Sequence, residues 1–143
     1  MNEKKELSEQ ELALSIQILQ EQAKALASNV ETLTIYLHEL SISKKTLEGL
    51  QTCTKGDEIL VPIGASSFVK ARIEDTENVI AGVGADVSVA KTVEQAIDSL
   101  EKRITLMESK IKENQETYVR VAQKLEELGA QAQKLLEEKG EYV

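Results

Sequence analysis

Residues 93–135 read VEQAIDSLEKRITLMESKIKENQETYVRVAQKLEELGAQAQKL. A seam runs through them: Val93, Ile97, Leu100, Ile104, Met107, Ile111, Asn114, Tyr118, Val121, Leu125, Leu128, Ala132, Leu135. Its steps alternate between four and three residues without a break. A 3.5-residue repeat keeps one stripe facing a partner helix, which is the sequence form of a coiled coil. Upstream lies a second seam of the same kind: Leu12, Ile16, Leu19, Ala23, Leu26, Val30, Leu33, Leu37, Leu40, Lys44, Leu47. The stretch between the two seams has a different period.

Ser8 with Glu11 is a capping-box pattern, so the first helix is expected over residues 8–52. At 1.5 Å per residue it would be about 65 Å long. Gly49 and Thr52-Cys53-Thr54 weaken it, and Gly56 ends it. Thr92 with Gln95 repeats the pattern and opens a second helix over 92–139, interrupted late by Gly129 and capped by Gly140. In residues 57–90, Ile59, Val61 and Ile63 alternate, as do Val69, Ala71 and Ile73 across a Gly64-Ala65-Ser66 turn. Val79, Ala81 and Val83 then alternate, and Val87 and Val89 follow a Gly84-Ala85-Asp86 turn. These are two consecutive β-hairpins. Pro62 cannot donate to a ladder, so its strand is an edge there or carries a bulge.

The expected fold is mainly α: one domain over residues 1–143, a long antiparallel coiled-coil hairpin with two β-hairpins between its helices. Leu12 would then lie near Ala132 and Val30 near Asn114. Both chain ends would sit at a tip away from the strands.

Composition excludes several functions. The formal net charge is −8, from 17 Lys and Arg against 25 Asp and Glu. Phosphate binding needs clustered cations, so neither nucleic acid nor an anionic membrane surface is an expected partner. Aromatics are only 3%, with no Trp, so no large mixed globular core is expected and partner subunits should supply part of the stability. Cys53 is the single cysteine and has no intramolecular partner. No secretory signal and no apolar run long enough for a membrane span are read, and a cytosolic setting is expected.

The strands are short, apolar and uncovered by any obvious part of the chain. Exposed edges template pairing with other chains. Ile59, Val61, Ile63, Phe68, Val69, Ile73, Val79, Val83, Val87 and Val89 are therefore candidates for oligomerisation, with strands from several subunits closing into a barrel. The alternative is a small sheet packed on the helix bases. At the tip, Leu14 and Ile18 fall off the seam, four residues apart on one face, and Leu136 is also off the seam. With Leu12, Leu135 and Tyr142 they form a candidate contact surface for a client chain. The alternative is scattered surface leucines. Two polar residues interrupt the seams: Asn114 could fix register, whereas Lys44 would snorkel outward.

Nothing assembles a catalytic centre. His38 falls on a solvated position with no second ligand beside it, and it is far from Cys53 along the helix. A nucleophilic cysteine would want a nearby base. Zinc, EF-hand, dinucleotide and phosphate-loop signatures are absent, so no metal or cofactor is expected and the chain is not read as an enzyme.

The order of long helix, two β-hairpins and long helix resembles alpha-class prefoldin subunits of the archaeal type. The most telling stretches are Ile59-Leu60-Val61-Pro62-Ile63-Gly64 with Phe68-Val69-Lys70-Ala71, and Val79-Ile80-Ala81-Gly82-Val83-Gly84. Beta-class subunits have one hairpin, so four strands select alpha. Alpha subunits often carry Tyr at the place of Phe68. The resemblance implies a hexamer of two alpha and four beta subunits with a double β-barrel body. It also implies coiled-coil tips that hold unfolded proteins without ATP and pass them to a group II chaperonin. A coiled-coil scaffold or spacer with no client binding is the competing expectation.

Overall fold

A computed structural model of the chain describes residues 8–140. In order, the elements are α1 (Glu9–Gln51), β1 (Glu58–Gly64), β2 (Ser67–Arg72), β3 (Asn78–Gly84), β4 (Val87–Thr92) and α2 (Val93–Glu138). Two long helices with two antiparallel β-hairpins between them are the architecture expected from the sequence.

Both helix starts are capped by side chains. The Ser8 hydroxyl accepts from the Glu11 amide at 3.2 Å and donates to the Glu11 carboxylate at 3.2 Å. The Thr92 hydroxyl accepts from the Gln95 amide while the Gln95 side chain accepts from the Thr92 amide, both at 3.1 Å. These bonds satisfy amides that the helix itself leaves free. At its end, α2 closes with the Gly140 amide on the Glu137 carbonyl at 3.1 Å. The expected interruption at Gly129 does not occur, and α2 runs through it. A helical glycine costs about 1 kcal/mol, and the neighbouring Leu128 is buried and offsets that cost.

The described residues divide into two units. The first holds α1 up to Ile35 and α2 from Glu108 onward. Leu12 and Leu128 are its buried side chains, and the other seam positions are half-buried except Tyr118, which is exposed. The Glu9 carboxylate pairs with the Lys139 ammonium, so the start of α1 meets the end of α2 and the two segments are antiparallel. Asn114 donates to the Lys110 carbonyl of its own helix at 2.7 Å. One of its two side-chain N–H groups is thus used one turn back on its own helix.

The second unit spans Tyr36–Met107. Its core is Leu40, Ile73, Val93, Ala96, Leu100 and Met107, contributed by both helices and by the ends of the hairpins. Lys44 occupies a seam position in α1, yet its ammonium reaches the Glu101 carboxylate of α2 at 3.4 Å and Glu48 at 3.9 Å. The stem lies along the seam and the charged head leaves it.

The strands form two separate two-stranded sheets, β1 with β2 and β3 with β4. In the first, Ile59 pairs with Ala71 and Val61 with Val69 on one face, while Leu60 pairs with Lys70 and Pro62 with Phe68 on the other. The register shifts between Pro62 and Gly64. The same shift recurs between Gly82 and Gly84, where no proline stands, so the bulge belongs to the turn and not to Pro62.

The second hairpin repeats the first at an offset of twenty residues, Glu58 to Asn78 and Gly64 to Gly84. The turns repeat as well. Gly64, Ala65 and Ser66 have φ of 99°, 49° and 58°, and Gly84, Ala85 and Asp86 have 112°, 50° and 59°. Two central residues with positive φ make the turn that suits the right-handed strand twist, and the preceding glycine reaches its φ without a Cβ clash. The closing rung repeats too. The Ile73 amide donates to the Asp57 carbonyl at 3.0 Å, and the Val93 amide to the Glu77 carbonyl at 2.9 Å. Ile73 and Val93 are both buried. Each hairpin is therefore anchored by one apolar residue just past its second strand.

Candidate functional site: apolar side chains in water

The first hairpin is exposed almost throughout. Ile59, Val61 and Val69 stand in water on one face, Leu60 and Phe68 on the other, and Ile63 lies in the bulge. An isolated two-stranded hairpin is marginal in water. This one leaves apolar side chains uncovered on both faces.

The second hairpin is half-covered. Val79 and Ala81 turn toward the helices of their unit and are half-buried. They wall a groove of about 320 Å³ together with Leu40, Leu47, Tyr36 and Arg103. Val83, Val87 and Val89 are exposed, and Ile80 is 81% exposed. Ile73 differs from the other strand candidates. It lies beyond β2 and is buried in its own unit, so it anchors the hairpin and offers no free surface.

Leu60 and Ile80 fall outside the alternating set of strand candidates, yet both are exposed. The unbroken apolar run Ile59-Leu60-Val61-Pro62-Ile63 was the available signal. Such a run marks a strand destined for cover on both faces.

In the first unit the off-seam positions are free. Leu14 is 57% exposed, Ile18 49% and Leu136 37%. Leu12 is only 2% exposed. It sits on the seam, so burial against the helix pair removes it from any contact surface. Leu135 is half-buried on the seam in the same way. Tyr142 lies outside the described residues.

The second unit also holds a polar clasp. The Arg103 guanidinium donates to the Tyr36 hydroxyl and stands 5.7 Å from the centroid of the same ring. No seam rule predicts it, because both residues lie beside the seam.

Among the described residues no group of three His, Cys, Asp or Glu side chains could hold a metal ion. None of their helices is long and apolar enough to cross a membrane. Cys53 is half-buried past the end of α1, with its thiol directed to the Gly49 carbonyl at 3.4 Å.

Two long helices with two apolar β-hairpins between them define a coiled-coil hairpin protein. The model of the prefoldin family, described as prefoldin subunit, matches residues 19–138. The chain belongs to that family, whose members are non-enzymatic chaperone subunits. It is 50% identical over 95 residues to prefoldin subunit alpha 1 of Thermococcus kodakarensis, covering 66% of this chain and 65% of that one. It is 37% identical over 127 residues to prefoldin subunit alpha of Pyrococcus horikoshii, covering 88% and 86%. The chain thus spans just under two thirds of the Thermococcus relative and most of the Pyrococcus one. Its fold is also that of a chain in the filamentous PFD of Methanocaldococcus jannaschii, with a TM-score of 0.70 at 24% identity, covering 81% of this chain and 96% of that chain.

Proposed function

We propose that this chain is an alpha-class subunit of a cytosolic holdase that binds unfolded proteins without ATP. Two copies assemble with four beta-class subunits, and the complex passes its clients to a group II chaperonin. The observation that carries this reading is that large aliphatic side chains stand in water in both units. Those of the two hairpins serve assembly, through Ile59, Val61, Ile63, Val69, Val83, Val87 and Val89, joined by Leu60, Ile80 and the exposed ring of Phe68. Those of the first unit, Leu14, Ile18 and Leu136, hold the client, with Leu12 and Leu135 supporting the face from inside.

The energetics suit transient holding. Full burial of one aliphatic side chain contributes about 1.5–3 kcal/mol. A client touching two or three half-covered side chains on one subunit is held weakly. Several subunits acting on one chain raise the effective concentration and make the combined grip useful. Weak single grips also permit release.

The test is the aggregation of a chemically denatured enzyme on dilution, followed by light scattering. The chain is added alone and with a beta-class subunit, without nucleotide. Suppression by the mixture supports the holdase. A stable complex by mass that suppresses nothing supports the scaffold alternative.

A further inference from the structure

We infer that the outer face of α1 selects one class of client: aliphatic segments of unfolded chains flanked on both sides by Lys or Arg. This rests on the holdase reading and names what its client surface prefers.

Glu11, Leu14, Ile18 and Glu21 are spaced by three, four and three residues, so they form one stripe along the helix. All four are exposed. The two aliphatic side chains are thus bracketed by two carboxylates. Among the described residues neither Glu11 nor Glu21 is in a salt bridge; the Glu11 carboxylate accepts only from the Ser8 hydroxyl, at 3.2 Å. Their charge is available to a ligand. Lys24, the first lysine of α1, lies three residues past Glu21, yet among the described residues the two form no salt bridge.

The dimensions define the ligand. Ten residues of helix between Glu11 and Glu21 rise about 15 Å. An extended chain covers that distance in about five residues at roughly 3.3 Å each. A segment with aliphatic residues in the middle and a cation at each end therefore lays its apolar part on Leu14 and Ile18 and its charges on the carboxylates. A segment with acidic flanks meets repulsion at both ends. An exposed pair contributes only a little, so two pairs shift affinity by a modest factor and lose most of it in high salt.

The experiment uses the complex assembled with a beta-class subunit. Fluorescent unstructured peptides share one aliphatic centre and carry Lys, Ser or Glu on both flanks, and binding is read by anisotropy. The Lys-flanked peptide is expected to bind about three- to tenfold tighter than the Ser-flanked one at low salt, and the difference should shrink in 1 M salt. Glu11→Gln with Glu21→Gln should erase that advantage and leave Ser-flanked binding unchanged, since Gln also suits the capping position. Equal binding of all three peptides, or a preference that survives the double substitution, overturns the inference while client holding stands. Binding of none of them defeats the inference and the holdase reading together.

Discussion

The Arg103 guanidinium both donates to the Tyr36 hydroxyl and lies 5.7 Å from the centre of that ring, joining α2 to α1 beside the seam. Tyr36→Phe keeps the ring and removes the acceptor. It should destabilise the second unit by about 0.5–1.5 kcal/mol. Arg103→Leu removes both contacts and should cost more than Tyr36→Phe. Urea unfolding followed by circular dichroism on the assembled complex checks the order of the two variants.

Asp75 ties the link between the hairpins. Its carboxylate accepts from the Glu77 amide at 2.8 Å and the Asn78 amide at 3.1 Å, and from the Asn78 side chain at 3.1 Å. The Glu77 amide bond is the largest cause holding its pKa below the ordinary aspartate value, followed by the Asn78 side chain and amide. A depressed pKa favours the charged form in the folded state. The resulting stabilisation is present above the unfolded-state pKa and is lost as pH falls through the folded-state one. Carbon-detected NMR titration should place the Asp75 midpoint below the ordinary aspartate value. In Asp75→Asn the acid-side loss of stability should be smaller.

Both hairpin turns hold alanine at a left-handed φ, 49° at Ala65 and 50° at Ala85. A Cβ is disfavoured there. Ala65→Gly and Ala85→Gly should each stabilise the chain by about 0.5–1 kcal/mol, net of the added freedom of the unfolded state. Thermal unfolding of the assembled complex measures the change.

Charge on the uncovered strands should block assembly. Leu60→Lys with Val61→Lys puts a cation on each face of the first hairpin, on side chains that are exposed in this chain. The helices should keep their circular dichroism. Ultracentrifugation with a beta-class subunit should find the proposed hetero-oligomer lost.

Much of this architecture could be read from residue spacing. The two seams mark the buried and half-buried faces of α1 and α2 at every position but Tyr118. Ser8 with Glu11 and Thr92 with Gln95 marked the helix starts because a cap needs only local residues. Long-range matters were hidden. The Tyr36–Arg103 clasp depends on the pairing of α1 with α2. The burial of Ile73 depends on where β2 ends. The twenty-residue repeat is faint in sequence because only its turn glycine and alanine and Val69/Val89 are identical, while the backbone bulge and the closing rung carry the likeness. For the client surface, spacing separated Leu14 and Ile18 from the seam. It placed Leu12 in both sets, and only burial assigns it to the interior.

That division of labour gives the most direct test of the holdase account. Leu14→Ser with Ile18→Ser alters exposed positions and should change stability by less than about 1 kcal/mol. Leu12→Ser empties a buried site and should cost about 2–5 kcal/mol. The measurement is suppression of a denatured enzyme's aggregation by the assembled complex carrying the Leu14 and Ile18 substitutions, with its mass and helicity confirmed. The account predicts an intact complex with most of its protection lost. Full protection by that intact complex would contradict it.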